Sequence, residues 1–164
     1  MCCSLEFTDA WEQCKLGEVV NFFSGLTYSP ENIVDDGVLV IRSSNIKDGE
    51  LVNSDNVYVN PNYANSTVVK TGDIIVVVRN GSRDLIGKHA QVKSIENQSV
   101  IGAFMTGIRY DVPEFINALL DTSQFKIEIN KNIGATINQI TMKEFKKMLF
   151  PFPPFPEQQK IGEF

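Results

Sequence analysis

The pattern of apolar and polar residues predicts a β-sheet in the middle of the chain. Residues 38–41 and 74–78 are apolar runs, the second made mainly of β-branched residues, and each is followed by a polar loop. Such runs are typical of buried strands, because β-branched side chains pack well on a pleated surface. Residues 90–95 and 100–110 are also rich in strand-forming residues and predict one further strand each. We therefore predict a sheet in which residues 74–78 form a central strand.

The pattern changes to the three- and four-residue spacing of a helix face after Pro113. Proline suits the first position of a helix, so a helix is predicted to begin there. A second helix is predicted after Thr141, which forms with Glu144 the Ser/Thr-x-x-Glu pattern that caps helix N-termini. Four prolines lie in residues 150–156, which must be extended. A last helix is predicted to begin after them, near Glu157.

The charge of the chain is acidic overall but basic in the middle. The net charge is −5 at pH 7, which argues against a general basic nucleic-acid binder. Residues 70–109 hold six Lys and Arg against three Asp and Glu, whereas residues 1–69 hold three against ten. Any readout of nucleic acid would therefore depend on a local basic face.

Several classes of protein find no support in the sequence. No apolar run approaches the roughly 18 residues of a membrane span, and residues 1–6 lack the pattern of a secretory signal, so we expect a cytoplasmic protein. Cys2, Cys3, Cys14 and the single histidine, His89, give neither a zinc spacing nor a disulfide framework. We expect reduced thiols, no metal and no cofactor. Catalytic motifs are absent as well, so no enzymatic activity is expected.

Residues 81–89 resemble a phosphate-binding loop only superficially. Five residues separate Gly81 from Gly87 where that motif needs four, and His89 stands where Ser or Thr would hold magnesium. The residues that follow favour a strand rather than the helix whose N-terminus would bind phosphate. We interpret the segment as a strand–loop–strand connection that carries cations.

Three polar loops combine arginine, amides and hydroxyls in the way that base readout requires. Arginine can bind guanine O6 and N7 with two hydrogen bonds, and Asn or Gln can bind adenine in the same way. Lysine is a compact hydrated charge that suits phosphate. The alternative for each loop, taken alone, is a solvated turn. The candidates for DNA contact are Arg42, Ser43, Asn45, Arg79, Asn80, Ser82, Arg83, Lys88, Asn138 and Gln139.

The order of short motifs along the chain resembles the target recognition domain of Type I restriction-modification specificity subunits. The most specific motif is Pro153-Pro154-Phe155-Pro156-Glu157-Gln158-Gln159-Lys160-Ile161, which resembles the exit of such a domain into a spacer helix. The other matching stretches, in the same order as in that family, are residues 7–19, 41–46, 72–75, 86–88 and 139–141.

The resemblance implies an α/β (α+β) fold with a curved mixed β-sheet and flanking helices. It divides the chain into a DNA target recognition domain, residues 1–150, and a proline-rich exit with the first turns of the spacer helix, residues 151–164. It further implies a non-catalytic subunit without a cofactor, which directs other subunits to one half of a bipartite DNA target.

The partners that the resemblance implies are double-stranded DNA and the methyltransferase and restriction subunits. A second half of the specificity subunit, or a second copy of this chain, is a further possible partner. The resemblance implies no membrane partner. Two alternatives remain open: a truncated protein-interaction module that pairs with other subunits, and the recognition part of a fused methyltransferase or nuclease. Salt-dependent DNA binding distinguishes the first alternative from DNA recognition, and the genomic sequence beyond Phe164 distinguishes the second.

Overall fold

The computed structural model describes residues 10–164, in which twelve strands and five α-helices form. The strands are β1 (Glu12–Lys15), β2 (Asn21–Ser24), β3 (Ile33–Val34), β4 (Val38–Ile41), β5 (Ile46–Lys47), β6 (Glu50–Leu51), β7 (Val57–Val59), β8 (Ile74–Val77), β9 (His89–Gln91), β10 (Ser99–Ile101), β11 (Met105–Arg109) and β12 (Leu149–Phe152). The helices are α1 (Leu16–Val19), α2 (Pro113–Leu120), α3 (Ser123–Asn132), α4 (Met142–Lys147) and α5 (Phe155–Gly162).

Two four-stranded sheets form the body of the domain. The central sheet has the strand order β2-β11-β8-β9, and each pair of neighbouring strands in it is antiparallel. The second sheet has the order β10-β4-β7-β3 and is mixed, because β10 and β4 run parallel. β1-β12 and β5-β6 form two separate two-stranded ribbons. The predicted α/β class is confirmed, and the strands divide between two main sheets.

Strand β8 lies in the middle of the core, as the sequence predicts. Ile74, Ile75 and Val77 are 0% exposed, because β8 is flanked by β11 and β9 and contacted by helix α2. A strand that is covered on both faces has no polar side to show, which explains its unbroken apolar run. The second sheet has a smaller core of its own, made of Leu26, Val38, Val40, Val59 and Val100.

The prediction of a single strand across residues 100–110 is wrong. The segment breaks at a tight turn, in which the Met105 amide donates to the Gly102 carbonyl oxygen at 3.0 Å. The Gly102 amide in turn donates to the Ile41 carbonyl oxygen at 2.9 Å. Strand β10 therefore ends in the second sheet and β11 begins in the central sheet. The turn at Gly102 therefore joins the two sheets.

The helices predicted at Pro113 and after Thr141 are present as α2 and α4. In α4, Thr141 Oγ1 accepts from the Glu144 amide at 3.2 Å, and Glu144 Oε2 accepts from the Thr141 amide at 2.8 Å. Both halves of the predicted capping box are thus formed. Helix α3 is not predicted by the pattern, because only Phe125 and Ile129 are buried in its ten residues.

Residues 149–152 are extended in β12, but the prediction of an extended segment as far as residue 156 is wrong at Phe155 and Pro156, which begin helix α5. Proline is tolerated in the first turn of a helix, where its missing N–H is not needed. Strand β12 pairs antiparallel with β1 and buries Phe150 and Phe152. A two-stranded ribbon tolerates a proline because only one side of each strand needs to be hydrogen-bonded. Helix α5 then packs on α2. Its Gln158 is 0% exposed, accepts from the Tyr110 hydroxyl at 3.0 Å and donates to the Pro153 carbonyl at 2.9 Å.

Cys14 lies in the hydrophobic core and is 1% exposed. Cys2, Cys3 and the first residues of the 7–19 motif lie outside the described residues. Within residues 10–164, no helix has the length and apolarity to cross a membrane. The same part of the chain contains no cluster of three or more side chains suited to metal binding.

Candidate nucleic-acid interface

The topology places the loops that follow β4 and β8 next to each other. Strands β4 and β10 are parallel, so their carboxyl ends lie side by side. Strand β11 follows β10 through the turn at residues 102–104 and pairs with β8, with Met105 opposite Val77. The turn therefore lies between the two strand exits. We call residues 42–45, 79–88 and 138–139 together the three-loop face.

Direct contacts join the first two loops of this face. Asn80 Nδ2 donates to Ser43 Oγ at 3.3 Å, and Lys88 Nζ lies 3.5 Å from the Ser43 carbonyl oxygen. Asn80 Oδ1 also accepts from the Ser82 amide at 2.9 Å, which shapes the turn at Gly81. Residues that are about forty positions apart in sequence thus form one surface.

The third loop is held to the second by backbone pairing. Arg79 and Gln139 form an antiparallel bridge, and the Asn80 amide donates to the Asn138 carbonyl oxygen at 3.2 Å. The Asn138 side chain donates to the Gly81 carbonyl oxygen at 3.1 Å. All ten residues predicted from the sequence therefore lie in one connected group of loops, although they differ in how far their side chains are free to bind.

Asn45 supports the first loop from inside. It is 3% exposed, and its Oδ1 accepts from the Arg42 amide at 3.0 Å. Its Nδ2 donates to the Ser54 carbonyl oxygen at 2.8 Å and to Asn56 Oδ1 at 2.9 Å. A buried amide with both ends engaged has no capacity left for a base edge. The structure thus argues against DNA contact by Asn45 and for a role in shaping the loop.

Arg42 is also engaged within the protein. Its Nη2 forms an ion pair with Asp55 Oδ2 at 2.9 Å and a further hydrogen bond with the Asp55 carbonyl oxygen. Its Nε is buried and has no hydrogen-bond partner among the described residues. The Asp55 carboxylate offsets the charge that Arg42 brings to the face.

The second loop is open by comparison. Arg79 and Arg83 are exposed, and neither takes part in an ion pair within the described part of the chain. The guanidinium of Arg79 lies over the ring of Phe104, with its carbon 4.8 Å from the ring centroid. Phe104 is 51% exposed and belongs to the turn between β10 and β11. Phe104 was not predicted as a functional residue, because it lies within the strand predicted over residues 100–110.

Other ionisable groups of the basic middle segment are used elsewhere. Arg109 binds the buried carboxylate of Asp73 through two hydrogen bonds of 2.8 and 2.7 Å, and that bonding raises the pKa of Arg109. Lys93 pairs with Glu50 at 2.7 Å, and its hydrogen bond and charge lower the pKa of Glu50. Of the four remaining cations of the segment, Arg79, Arg83 and Lys88 lie on the three-loop face, and Lys70 lies outside it.

The loop of residues 81–89 is not a phosphate-binding loop. A single 3-10 turn, Arg83–Leu85, is followed after three residues by strand β9. The helix N-terminus that would bind phosphate is replaced by a strand that pairs with β8. This confirms the strand–loop–strand interpretation.

Sequence relatives of the chain are specificity subunits. The chain is 29% identical over 167 residues to the Type I restriction enzyme EcoKI specificity subunit of Escherichia coli K12, covering 94% of this chain and 35% of the relative. It is 27% identical over 164 residues to the StySPI specificity subunit of Salmonella potsdam, with the same two coverages of 94% and 35%. The chain thus spans about a third of the length of these relatives.

Solved structures show the same fold. The HsdS subunit from Thermoanaerobacter tengcongensis matches with a TM-score of 0.69 and 19% identity, covering 98% of this chain and 37% of that one. A Type I S subunit from M. genitalium matches with a TM-score of 0.62 and 18% identity, covering 97% and 39%. Residues 8–164 also match the family model described as Type I restriction modification DNA specificity domain. The chain therefore belongs to the Type I restriction-modification DNA specificity domain family.

Proposed function

We propose that this chain reads one half of a bipartite DNA target for a Type I restriction-modification enzyme. The observation that carries the proposal is the three-loop face, which gathers all ten candidate residues and leaves Arg79 and Arg83 without acidic partners among the described residues. Unpaired guanidinium groups beside small amides are the chemistry of direct base readout. A cytoplasmic location, where the target DNA would lie, fits this role.

The acidic net charge fits a module that is not the sole source of phosphate contacts. Base contacts specify the sequence, whereas most of the salt-dependent affinity comes from cations that neutralise phosphates. We propose that methyltransferase and restriction subunits bind the same complex, and that methyltransferase subunits contribute much of the phosphate contact. The isolated chain should accordingly bind DNA only weakly.

We propose that the chain divides into a recognition domain, residues 1–150, and an exit, residues 151–164. Strand β12 spans this boundary and pairs with β1, and α5 packs on α2. The exit therefore leaves the domain in a fixed direction. A fixed exit would hold this domain at a set distance from a second recognition domain, on the same subunit or on a second copy of the chain. That distance must match the spacing of the two half-sites on the DNA.

We further propose that the chain is non-catalytic and uses no cofactor. Its role is to direct catalytic subunits, in keeping with relatives that are specificity subunits. Incubation of the purified protein with DNA, S-adenosylmethionine, ATP and magnesium should give no methylation, cleavage or hydrolysis. Turnover that disappears in a Lys88→Ala variant would assign a catalytic role to the loop of residues 81–89 instead.

The central test is exchange of this domain in the complete gene. Residues 10–150 are replaced by the corresponding segment of another family member, and methylation is mapped across the genome of cells that carry the chimera. One half of the methylated target should change and the other half should stay. Co-purification of the chimera with the methyltransferase subunits controls for assembly. A chimera that assembles and methylates the original target would exclude DNA readout by this domain.

A further inference from the structure

Arg79 is presented differently from the other arginines of the structure. Arg109 also stacks on an aromatic ring, with its carbon 5.1 Å from the centroid of Phe23, but its donors are occupied by the buried Asp73. Arg79 has the same stacking on Phe104 and no carboxylate partner among the described residues. Stacking covers the face of a guanidinium and leaves the donors in its plane free. Arg79 therefore offers an ordered fork of donors to solvent.

The backbone fixes both members of this pair. The amides of Val78 and Arg79 donate to the Phe104 carbonyl oxygen at 3.0 and 3.2 Å. On the other side, the Ile140 amide donates to the Val78 carbonyl oxygen at 2.8 Å. The ring of Phe104 is nevertheless 51% exposed. About half of this side chain is thus open to solvent, and its ring contacts the guanidinium of Arg79.

The surroundings of the pair leave room for a ligand. A groove of about 470 Å³ runs beside Phe104 and is bordered by residues 42–44 and Tyr28. The charge of Arg42, which lines this groove, is neutralised by Asp55. Arg79 does not line the groove but stacks on Phe104, which does, so its unpaired guanidinium lies next to the groove. A planar fork of two donors matches the O6 and N7 acceptors of guanine, which lie side by side in the major groove.

We propose that Arg79 reads a guanine and that Phe104 is the positioning residue that holds its guanidinium in the reading orientation. This inference rests on the proposed function. An exposed arginine loses side-chain freedom when it binds, and a ring that already orders it reduces that loss. Phe104 should therefore contribute about two- to tenfold to discrimination at the guanine, within the range of cation–π and side-chain ordering effects.

The test uses the complete gene product assembled with its methyltransferase subunits, after its target has been mapped. Binding is measured to the target duplex and to duplexes with each base pair of the half-site replaced in turn. Arg79→Ala should lose discrimination at one G·C pair by about fivefold to a hundredfold. Phe104→Leu keeps apolar bulk but removes the ring, and should lose about two- to tenfold at the same base pair only. Phe104→Tyr, which keeps the ring, should behave like the unaltered protein.

Two controls separate positioning from folding. Tyr63→Leu removes an aromatic side chain that is 58% exposed. Strand β7 ends at Val59, which pairs with Val38 at the start of β4. Tyr63 follows β7 and therefore lies at this end of the second sheet, whereas Arg42 follows β4 at the opposite end. This variant should change nothing. The double variant Arg79→Ala with Phe104→Leu should match Arg79→Ala alone, because a positioning residue has no effect without the group it positions.

Three outcomes would overturn the inference. They are a mapped half-site without a G·C pair, additive losses in the double variant, and losses at different base pairs for Arg79→Ala and Phe104→Leu. Thermal unfolding of each variant shows whether a loss reflects unfolding. If domain exchange moves the target but Arg79→Ala leaves discrimination intact, this inference fails and the proposed function stands. If domain exchange leaves the target unchanged, the proposed function itself fails.

Discussion

The loops after β4 and β8 are similar in sequence, but their arginines differ in whether a carboxylate binds them. Each begins with an arginine followed by small polar residues, Arg42-Ser43-Ser44-Asn45 in one and Arg79-Asn80-Gly81-Ser82-Arg83 in the other. In the first loop, Asp55 binds the arginine and Asn45 is buried as an internal support. In the second, both arginines are exposed and no carboxylate among the described residues binds them.

The difference shows that availability, rather than composition, distinguishes a binding loop from a supporting one. An arginine that already binds a carboxylate must lose that partner before it can bind a base or a phosphate. The net gain in binding free energy is therefore small. An unpaired arginine makes a new contact at the cost of desolvation and side-chain order alone. We therefore expect base readout from the loop of residues 79–88, with the loop of residues 42–45 as its support.

The largest expected effect concerns the two asparagines. Asn45→Ala removes the partner of the Arg42 amide and of the Ser54 carbonyl in a buried site, and should lower the free energy of unfolding by about 2–3 kcal/mol. Asn80→Ala, the matched change in the open loop, should cost about 0.5–1 kcal/mol, because its hydrogen bonds lie nearer solvent. Urea unfolding of the two variants measures both values. Equal losses would show that the open loop is as rigidly supported as the closed one.

The next effect is on sequence discrimination. Arg79→Ala and Arg83→Ala should each weaken binding to the target by about 1–3 kcal/mol and relax one position, if each reads a base. Arg42→Ala should leave discrimination unchanged, because its guanidinium is bound to Asp55. Titration of the assembled methyltransferase with target and substituted duplexes checks this. If Arg42→Ala loses discrimination while Arg79→Ala and Arg83→Ala keep it, the loop of residues 42–45 reads the bases and the loop of residues 79–88 does not.

Lys88 should influence affinity rather than discrimination. Its Nζ lies near the Ser43 carbonyl oxygen, between the two loops, and a compact ammonium group there suits a phosphate. Lys88→Ala should weaken binding to all duplexes alike and reduce the slope of log K against log salt by about one. Lys93→Ala is the matched control, since Lys93 is already paired with Glu50. A slope that falls equally in both variants would indicate a general loss of charge.

The smallest effect tests whether the first loop can be opened. Asp55→Asn removes the carboxylate that binds Arg42 and keeps the side-chain shape, so Arg42 gains a free charge. Affinity for non-specific DNA should rise by less than about 1 kcal/mol, the usual worth of an exposed ion pair. Fluorescence anisotropy at low salt gives the value. Unchanged affinity in this variant, combined with a clear loss in Arg42→Ala, would mean that Arg42 reaches DNA despite its partner.

Much of the fold could be predicted from local signals. The apolar run that forms β8, the proline at the start of α2 and the capping pair of α4 each specify their element through neighbours in sequence. The break between β10 and β11 could not be recognised, because apolar residues continue on both sides of Gly102 and only the pairing with different sheets separates the strands. Helix α3 was missed because its buried face is too narrow to give a periodic pattern.

For the candidate site, the sequence by itself determined which residue types were present and that their order resembles a known family. Only the tertiary structure decided which of them are available. Asp55 is thirteen positions from Arg42, and Phe104 is twenty-five positions from Arg79. No local sequence pattern predicts either contact. Strand pairing brings these residues together, since parallel β4 and β10 align their carboxyl ends and the following turn reaches β8. An arginine that is neutralised and an arginine that is free look alike in sequence, because the difference lies in a partner that the chain supplies from a distance.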